Sequence, residues 1–331
     1  MAEVIKELYA PENKRILLID YLNMFIRNYS VIPSHNPFTG EPSGGVFGTL
    51  RSLSAAIAIC KPTHVFVICD GRHGSMRRKT MYKDYKAGRK PIRVNRFYKF
   101  ETDEDMKRNR IDQELRLRDY FTRIPVTYIN IDEVEADDII AYMAQYSFDK
   151  KDEKVILSCD HDFYQLMSNE SNIMIYNQYA KKFITESCIV EKFDIHPRNF
   201  AMARTIAGDS SDNIPGIKGF GLKTIRSYFP QLAHPEQVSL CEIIDYARKN
   251  ANIKPRYNMI ADNADLLERN FKLMQLYSPS FQIAITKQIN YAVLNQNNTK
   301  DQIGFRKMLR EDGISSINPS NFFKRFQFIT D

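Results

Sequence analysis

The chain is poor in cysteine, and the cysteines it has are not arranged for a metal. Its 331 residues include five: Cys60, Cys69, Cys159, Cys188 and Cys241. No two share the close spacing of a zinc or iron–sulfur site, and an odd count does not suit a disulfide framework. Cys60, Cys69 and Cys159 lie in apolar runs, which predicts free thiols in a reducing compartment. No apolar run approaches the roughly 18 residues that a membrane span needs. The opening MAEVIKELYAPENKR lacks the apolar stretch of a signal peptide. No internal repeat or low-complexity segment is present, which argues against a solenoid. The expectation is a soluble, cytoplasmic protein with no membrane partner.

Apolar residues make up 43% of the sequence, enough for a real core. The net charge of +7 favours an anionic partner. That charge is concentrated. Between positions 72 and 99 stand Arg72, Arg77, Arg78, Lys79, Lys83, Lys86, Arg89, Lys90, Arg93, Arg96 and Lys99, opposed only by Asp84. This one segment therefore carries more positive charge than the whole chain. Tyr82, Tyr85, Phe97, Tyr98 and Phe100 are interleaved with it.

Runs at 16–19, 64–69, 126–131 and 155–159 have the length and flanks of buried strands. Helical spacing of apolar residues recurs over 46–60, and 110–121 and the stretch from 136 also read as helices. Segments 173–176 and 183–184 predict a small hairpin. A largely helical remainder follows at 188–193, 197–207, 222–229, 236–250 and 261–277, and the tail beyond Pro279 carries no clear pattern. Strands alternating with helices predict an α/β fold with a mostly parallel central sheet flanked by helices. In such folds ligands bind beyond the carboxyl ends of the strands.

Three of the strand-like runs end in aspartate, at Asp20, Asp70 and Asp160. The fourth leads into Glu135, Asp137 and Asp138. Asp162 follows Asp160, and Asp209 and Asp212 stand in GDSSDNIPGIKGFGLKTI (208–225). A single strand-end aspartate is ordinarily a cap or turn residue. Four successive crossings with the same ending predict one acidic cleft. So many carboxylates cannot all stay ionised without a counter-charge. Oxygen donors without histidine or cysteine select Mg2+ or Mn2+ over zinc. Their number suits two ions, the arrangement that activates a water and stabilises the leaving oxygen in phosphodiester hydrolysis. His161, between two acids, is expected to point away from them. Gly216, Gly219 and Gly221 allow a tight backbone, and the helix that follows presents N–H groups to a phosphate. The residues by themselves thus describe a metal-dependent phosphodiesterase acting on nucleic acid.

VEADD (134–138), the DHD after a strand (160–162) and GDSSDNIPGIKGFG (208–221) resemble the flap-endonuclease family of 5′ nucleases over roughly residues 14–232. That family includes the 5′-nuclease domain of DNA polymerase I and stand-alone phage enzymes. Size and a helical C-terminus are most similar to the phage branch that trims RNA primers in the manner of an RNase H. The resemblance implies a PIN-like core over 1–205, with a basic helical arch at about 72–110. It further implies a helix-hairpin-helix subdomain over 206–260 and a helical region over 261–331. It implies Asp20, Asp70, Glu135, Asp137 and Asp138 around a first metal, and Asp160, Asp162, Asp209 and Asp212 around a second. Tyr85-Lys86-Ala87-Gly88-Arg89 matches the family's arch motif. Lys86 and Arg89 would touch the scissile phosphate and Tyr85 would stack on a base. Gly216, Gly219, Gly221 and Lys223 would hold duplex backbone, with K+ bound by carbonyls, and Arg72, Arg77 and Arg78 are further DNA contacts.

The implied activity is 5′-3′ exonuclease and flap endonuclease, with Asp160 and Asp162 also catalytic. The implied setting is replication or repair in a bacterial cell or phage-infected host. The implied substrates are DNA with a 5′ flap or nick and RNA–DNA hybrid, cut by a monomer. Phe322, Phe323, Phe326 and Phe328 offer either a docking motif for a sliding clamp or single-strand-binding protein, or ordinary core packing, which is the expectation. Two alternatives stand beside this reading. An aspartyl-nucleophile phosphatase suits Asp160 and Asp162, but Tyr164 stands where threonine or valine is expected. A non-catalytic, structure-specific DNA-binding protein does not need the intact acid set.

Overall fold

The computed structural model describes residues 13–167, 171–279 and 281–329. Residues 1–12, most of the stretch behind the signal-peptide argument, lie outside the described residues. The chain begins with β1 (Arg15–Asp20), α1 (Tyr21–Val31), α2 (Gly44–Cys60), β2 (His64–Asp70), α3 (Met76–Met81) and α4 (Asp103–Phe121). It continues with β3 (Thr127–Ile131), α5 (Ala136–Tyr146), β4 (Glu153–Leu157), a 3-10 turn over His161–Leu166, β5 (Ile173–Asn177) and β6 (Lys182–Ile184). Next come α6 (Glu186–Phe193), α7 (Phe200–Ala207), a short ladder of β7 (Gly208–Asp209) and β8 (Ile214–Pro215), and α8 (Leu222–Tyr228). The last helices are α9 (Leu240–Asn250), α10 (Arg256–Ala261), α11 (Ala264–Met274), α12 (Ile283–Leu294), α13 (Gln302–Glu311) and α14 (Pro319–Lys324).

Six strands form one sheet in the order β3-β2-β1-β4-β5-β6. All neighbouring pairs from β3 to β5 are parallel and β6 is antiparallel. The expected mostly parallel sheet is thus present. Alternate residues face opposite sides: Ile16, Leu18, Phe66, Ile68 and Ile156 on one, Leu17, Ile19, Val67, Val155 and Leu157 on the other. Both faces are buried, which is why these strands read as continuous apolar runs. The first face carries α5 to α12 and the second carries α1, α2, α4, α13 and α14. The apolar cluster on the first face runs unbroken from Ile16 to Ile289, across the expected boundaries near 205 and 260.

Three features differ from expectation. Helix α4 starts two turns early, at Asp103, because Thr102 caps it (its hydroxyl accepts from the Asp105 N–H at 3.0 Å). The first turn there is Asp103, Glu104 and Asp105, which suits a helix start but has no apolar period to reveal it. The unpatterned tail forms α12, α13 and α14. Phe322 and Phe323 pack on Phe305, and Phe326 lies buried with them, as core packing predicts; only Phe328 is exposed. The basic segment is helical only over α3, and 89–102 has no regular helix or strand. Gly88 at φ +72°, Pro91 and the crowding of like charge explain why a helix does not continue there.

Candidate active site

The strand order reverses between β1 and β4, and the acids gather at that crevice. Asp20 ends β1 and caps α1, accepting from the Asn23 N–H at 3.1 Å. Its other oxygen accepts from the Ser158 hydroxyl at 2.9 Å, across the switch point. The same hydroxyl accepts from the Asp160 N–H at 3.1 Å, so one serine sets both strand ends. Asp70 ends β2 and accepts from the Ala136 N–H at 2.7 Å, which ties it to the start of α5 and to Asp137.

These four carboxyls sense one another. Burial pushes Asp20 up to about 7, with the charges of Asp160 and Asp70 adding to it. Burial also pushes Asp137 well above the carboxylate range, reinforced by Asp20 and Asp160 and opposed by Lys86. Asp70 is raised by burial as well, partly relieved by its bond to the Ala136 N–H and by Lys86.

The remaining acids have cationic partners. Glu135 lies between Arg78 and Lys86. Burial works against its charge, but the two cations outweigh that and hold its carboxyl low. Asp138 takes a two-pronged bond from Arg78, at 2.7 and 3.0 Å, and a forked one from Arg77 at 3.1 and 3.2 Å. Asp162 and Asp209 share Arg204, at 3.0 and 2.5 Å. Burial and Asp160 still push Asp162 up to about 7. For Asp209 burial is outweighed by Arg204 and by bonds from Ser211, and its carboxyl is held low. Asp212 pairs with Arg89, and its carbonyl accepts from the Lys86 N–H at 2.9 Å. The 209–213 turn is therefore docked on the 84–89 turn. Gly208, at φ +75°, permits this: a side chain there would strike Ile214 and Gly216 backbone.

Several expected contacts sit elsewhere. Arg78, expected on DNA, is 4% exposed and also donates to the Leu273 carbonyl at 2.8 Å. Tyr85, expected to stack on a base, is equally buried, among Ile214, Leu273 and Met274. Both follow from the same cause: the acids of α5 draw the start of the basic segment inward. Arg72 stays at the surface with Asp132 at 3.1 Å, and Arg77 is half-exposed. His161 stacks on Tyr164 at 4.8 Å, turned from the acids as expected. Gly216, Lys218, Gly219, Gly221 and Lys223 form an accessible loop anchored by buried Ile217, Phe220 and Ile225. The Ile217 N–H donates to the Ile206 carbonyl at 2.8 Å. Sequence reasoning missed Arg204 and Ser158. Arg204 lies mid-helix with no motif around it; Ser158 had a signal, its place two residues before a strand-end aspartate.

Among the described residues no three acidic, histidine or cysteine side chains form a ready-made cage for an ion. The donor set nonetheless fits one. Asp20, which is buried, and Asp70, Asp137 and Asp160, which are half-buried, are oxygen donors with surplus negative charge, the character that hard divalent cations take. The Asp162–Asp209 pair already holds a cation, the Arg204 guanidinium.

With this geometry in hand, the description that matches residues 15–194, over half the chain, is decisive: 5′-3′ exonuclease, N-terminal resolvase-like domain. The chain belongs to the 5′-3′ exonuclease family. The thermostable DNA polymerase I of Thermus thermophilus is 31% identical over 67% of this chain, which spans only 24% of that protein. The 5′-3′ exonuclease of Bacillus subtilis is 26% identical over 92% of this chain and 95% of its own length. The bacteriophage T5 flap endonuclease, crystallised with DNA and metal ions, is 18% identical with a TM-score of 0.60, covering 91% of this chain and all of that one. That last likeness shows the fold. The family assignment leaves the phosphatase reading of Asp160 and Asp162 without support.

Proposed function

We propose that this 5′-3′ exonuclease family member is a structure-specific 5′ nuclease that hydrolyses phosphodiesters in DNA flaps and RNA primers. The observation that carries the reading is the half-buried acid group Asp20, Asp70, Asp137 and Asp160 at the switch point, rimmed by Lys86 and Arg89. The T5 enzyme of the same fold carries DNA and metal ions, which supports the same partners here. Two Mg2+ ions, or Mn2+ in their place, are proposed, the first held by that acid group and the second near Asp162, Asp209 and Asp212, where the Arg204 guanidinium would give way to it. Such ions supply the Lewis-acid charge that activates a water and stabilises the departing oxygen.

The chain's own side chains do the rest. Lys86 and Arg89 leave Glu135 and Asp212 to meet the phosphate, where positive charge stabilises the transition state. Arg78 stays behind and positions Glu135 and Asp138. Gly216, Gly219, Gly221 and Lys223 grip the duplex backbone, K+ aiding through carbonyls. The test uses end-labelled 5′-flap, nicked and RNA-primed substrates with Mg2+. Products released from the 5′ end are expected; release from the 3′ end, or no cleavage, would overturn the reading.

A further inference from the structure

A cavity of about 430 Å³ lies beside the acids, between α1, α2 and the β5–β6 hairpin. Val31, Ala56, Ile59 and Tyr176 supply an apolar lining. At its rim the Arg27 guanidinium sits 4.0 Å from the centre of the Tyr179 ring, and both side chains are exposed. Gln178 also lines it, its buried amide lying against the Tyr179 hydroxyl.

The rim is tied directly to the cleft. The Tyr179 hydroxyl donates to the Asn23 carbonyl at 3.2 Å. Asn23 donates its N–H to Asp20, and its side chain accepts from the Cys159 N–H at 3.2 Å, next to Asp160. Asn177 fixes the hairpin turn, its side chain accepting from the N–H groups of Tyr179 and Ala180 at 3.0 and 2.9 Å. Lys181 adds an exposed cation at the same rim.

A nucleobase fits these features: a flat face for the Tyr179–Arg27 layer, an apolar body for the lining, and an attached phosphate for Arg27 and Lys181. The volume is in the range of small-ligand sites. We propose that this cavity receives the base of one unpaired nucleotide of the substrate, close to the scissile phosphate, and so sets which junctions are cut. The proposal rests on the nuclease reading above, and its test is separable from it.

Binding is measured by fluorescence anisotropy in Ca2+, with an abasic residue placed in turn at each position around a 5′-flap junction. At one position the abasic substrate should bind wild-type protein about tenfold more weakly, the loss of one stacked base. At that position Tyr179→Ala and Gln178→Ala should show little further loss, while Tyr179→Phe behaves as wild type. Arg27→Ala, at the surface, gives the same comparison if the truncated hairpin does not fold. Wild-type binding indifferent to every abasic position, or losses that add fully in the variants, would overturn the pocket. Cleavage in Mg2+ decides the nuclease reading by itself, since the binding comparison needs no turnover.

Discussion

Asp160 and Asp162 are two residues apart but meet different partners. Asp160 faces Asp20 and Asp137, whereas Asp162 turns to Arg204. Asp160→Asn or Asp162→Asn should abolish cleavage and leave duplex binding nearly intact, since losing a negative charge reduces repulsion of DNA. Near wild-type turnover of either variant in Mg2+ would sink the metal assignment. Lys86 poses a different question, because in the free protein it is spent on Glu135. Lys86→Ala should lower the single-turnover rate roughly a hundredfold, about 3 kcal/mol, with a small change in Kd. An equal loss of affinity with an unchanged rate would make it a mere backbone contact. Seven of the nine acids were named from where the strand-like runs end, and Asp209 and Asp212 from the GDSSDNIPG segment. Their partners were not: Arg78 stands in the basic segment and Tyr85 in the arch motif, both of which speak of DNA, yet burial beside Glu135 decides where they sit. Arg204 has no sequence signal at all.

The basic segment shows how an element resists a reading from sequence. Eleven cations with interleaved aromatics predict a mobile arch, but the structure pins the segment at two places. One is the 84–89 turn on Asp212, where Asn213 also donates to the Asp84 carbonyl at 2.9 Å. The other is Asn95, buried against α1, whose N–H and side chain donate to the carbonyls of Tyr29 and Val31 at 3.1 and 2.6 Å. Between and after these pins Arg93, Arg96 and Lys99 stand exposed. Limited trypsin should therefore cut the free protein first at those three sites. A 5′-flap substrate in Ca2+ should slow these cuts far more than blunt duplex does, because only a free strand can thread. First cuts outside the segment, or equal protection by blunt duplex, would count against threading. The strands were legible because both sheet faces are buried and the runs are unbroken. Helices α13 and α14 were not, because their apolar residues are short clusters such as Phe322 and Phe323 that take meaning only against Phe305 and the face of a distant sheet.

For the molecule as a whole, the acid cleft links stability to pH and to metal. Asp20 and Asp162 titrate at about 7, and Asp70 and Asp137 are raised too, all with burial as the main cause. In an unfolded chain these groups titrate near about 4. Between those limits the native protein holds more protons than the unfolded one, so its stability falls as pH rises. Glu135 and Asp209 have the opposite sign: held low by their cations, they stabilise above about 4 and lose that as pH falls further. His64 and His161, lowered by burial, also lose stability as pH falls, through about 6.5. A divalent cation takes the ionised acids, so its stabilising effect grows with pH. Melting with and without Mg2+ at about pH 5.5 and about pH 8 tests this: the remote His64, at the far end of β2, contributes equally to both arms, and His161→Gln removes the titrating histidine beside the acids. Mg2+ should raise Tm by about 5 °C at the higher pH and much less at the lower. Asp160→Asn should flatten that difference. The same shift at both pH values, or none at the higher one, would mean that the clustered carboxyls of β1, β2 and α5 are not where the metal binds.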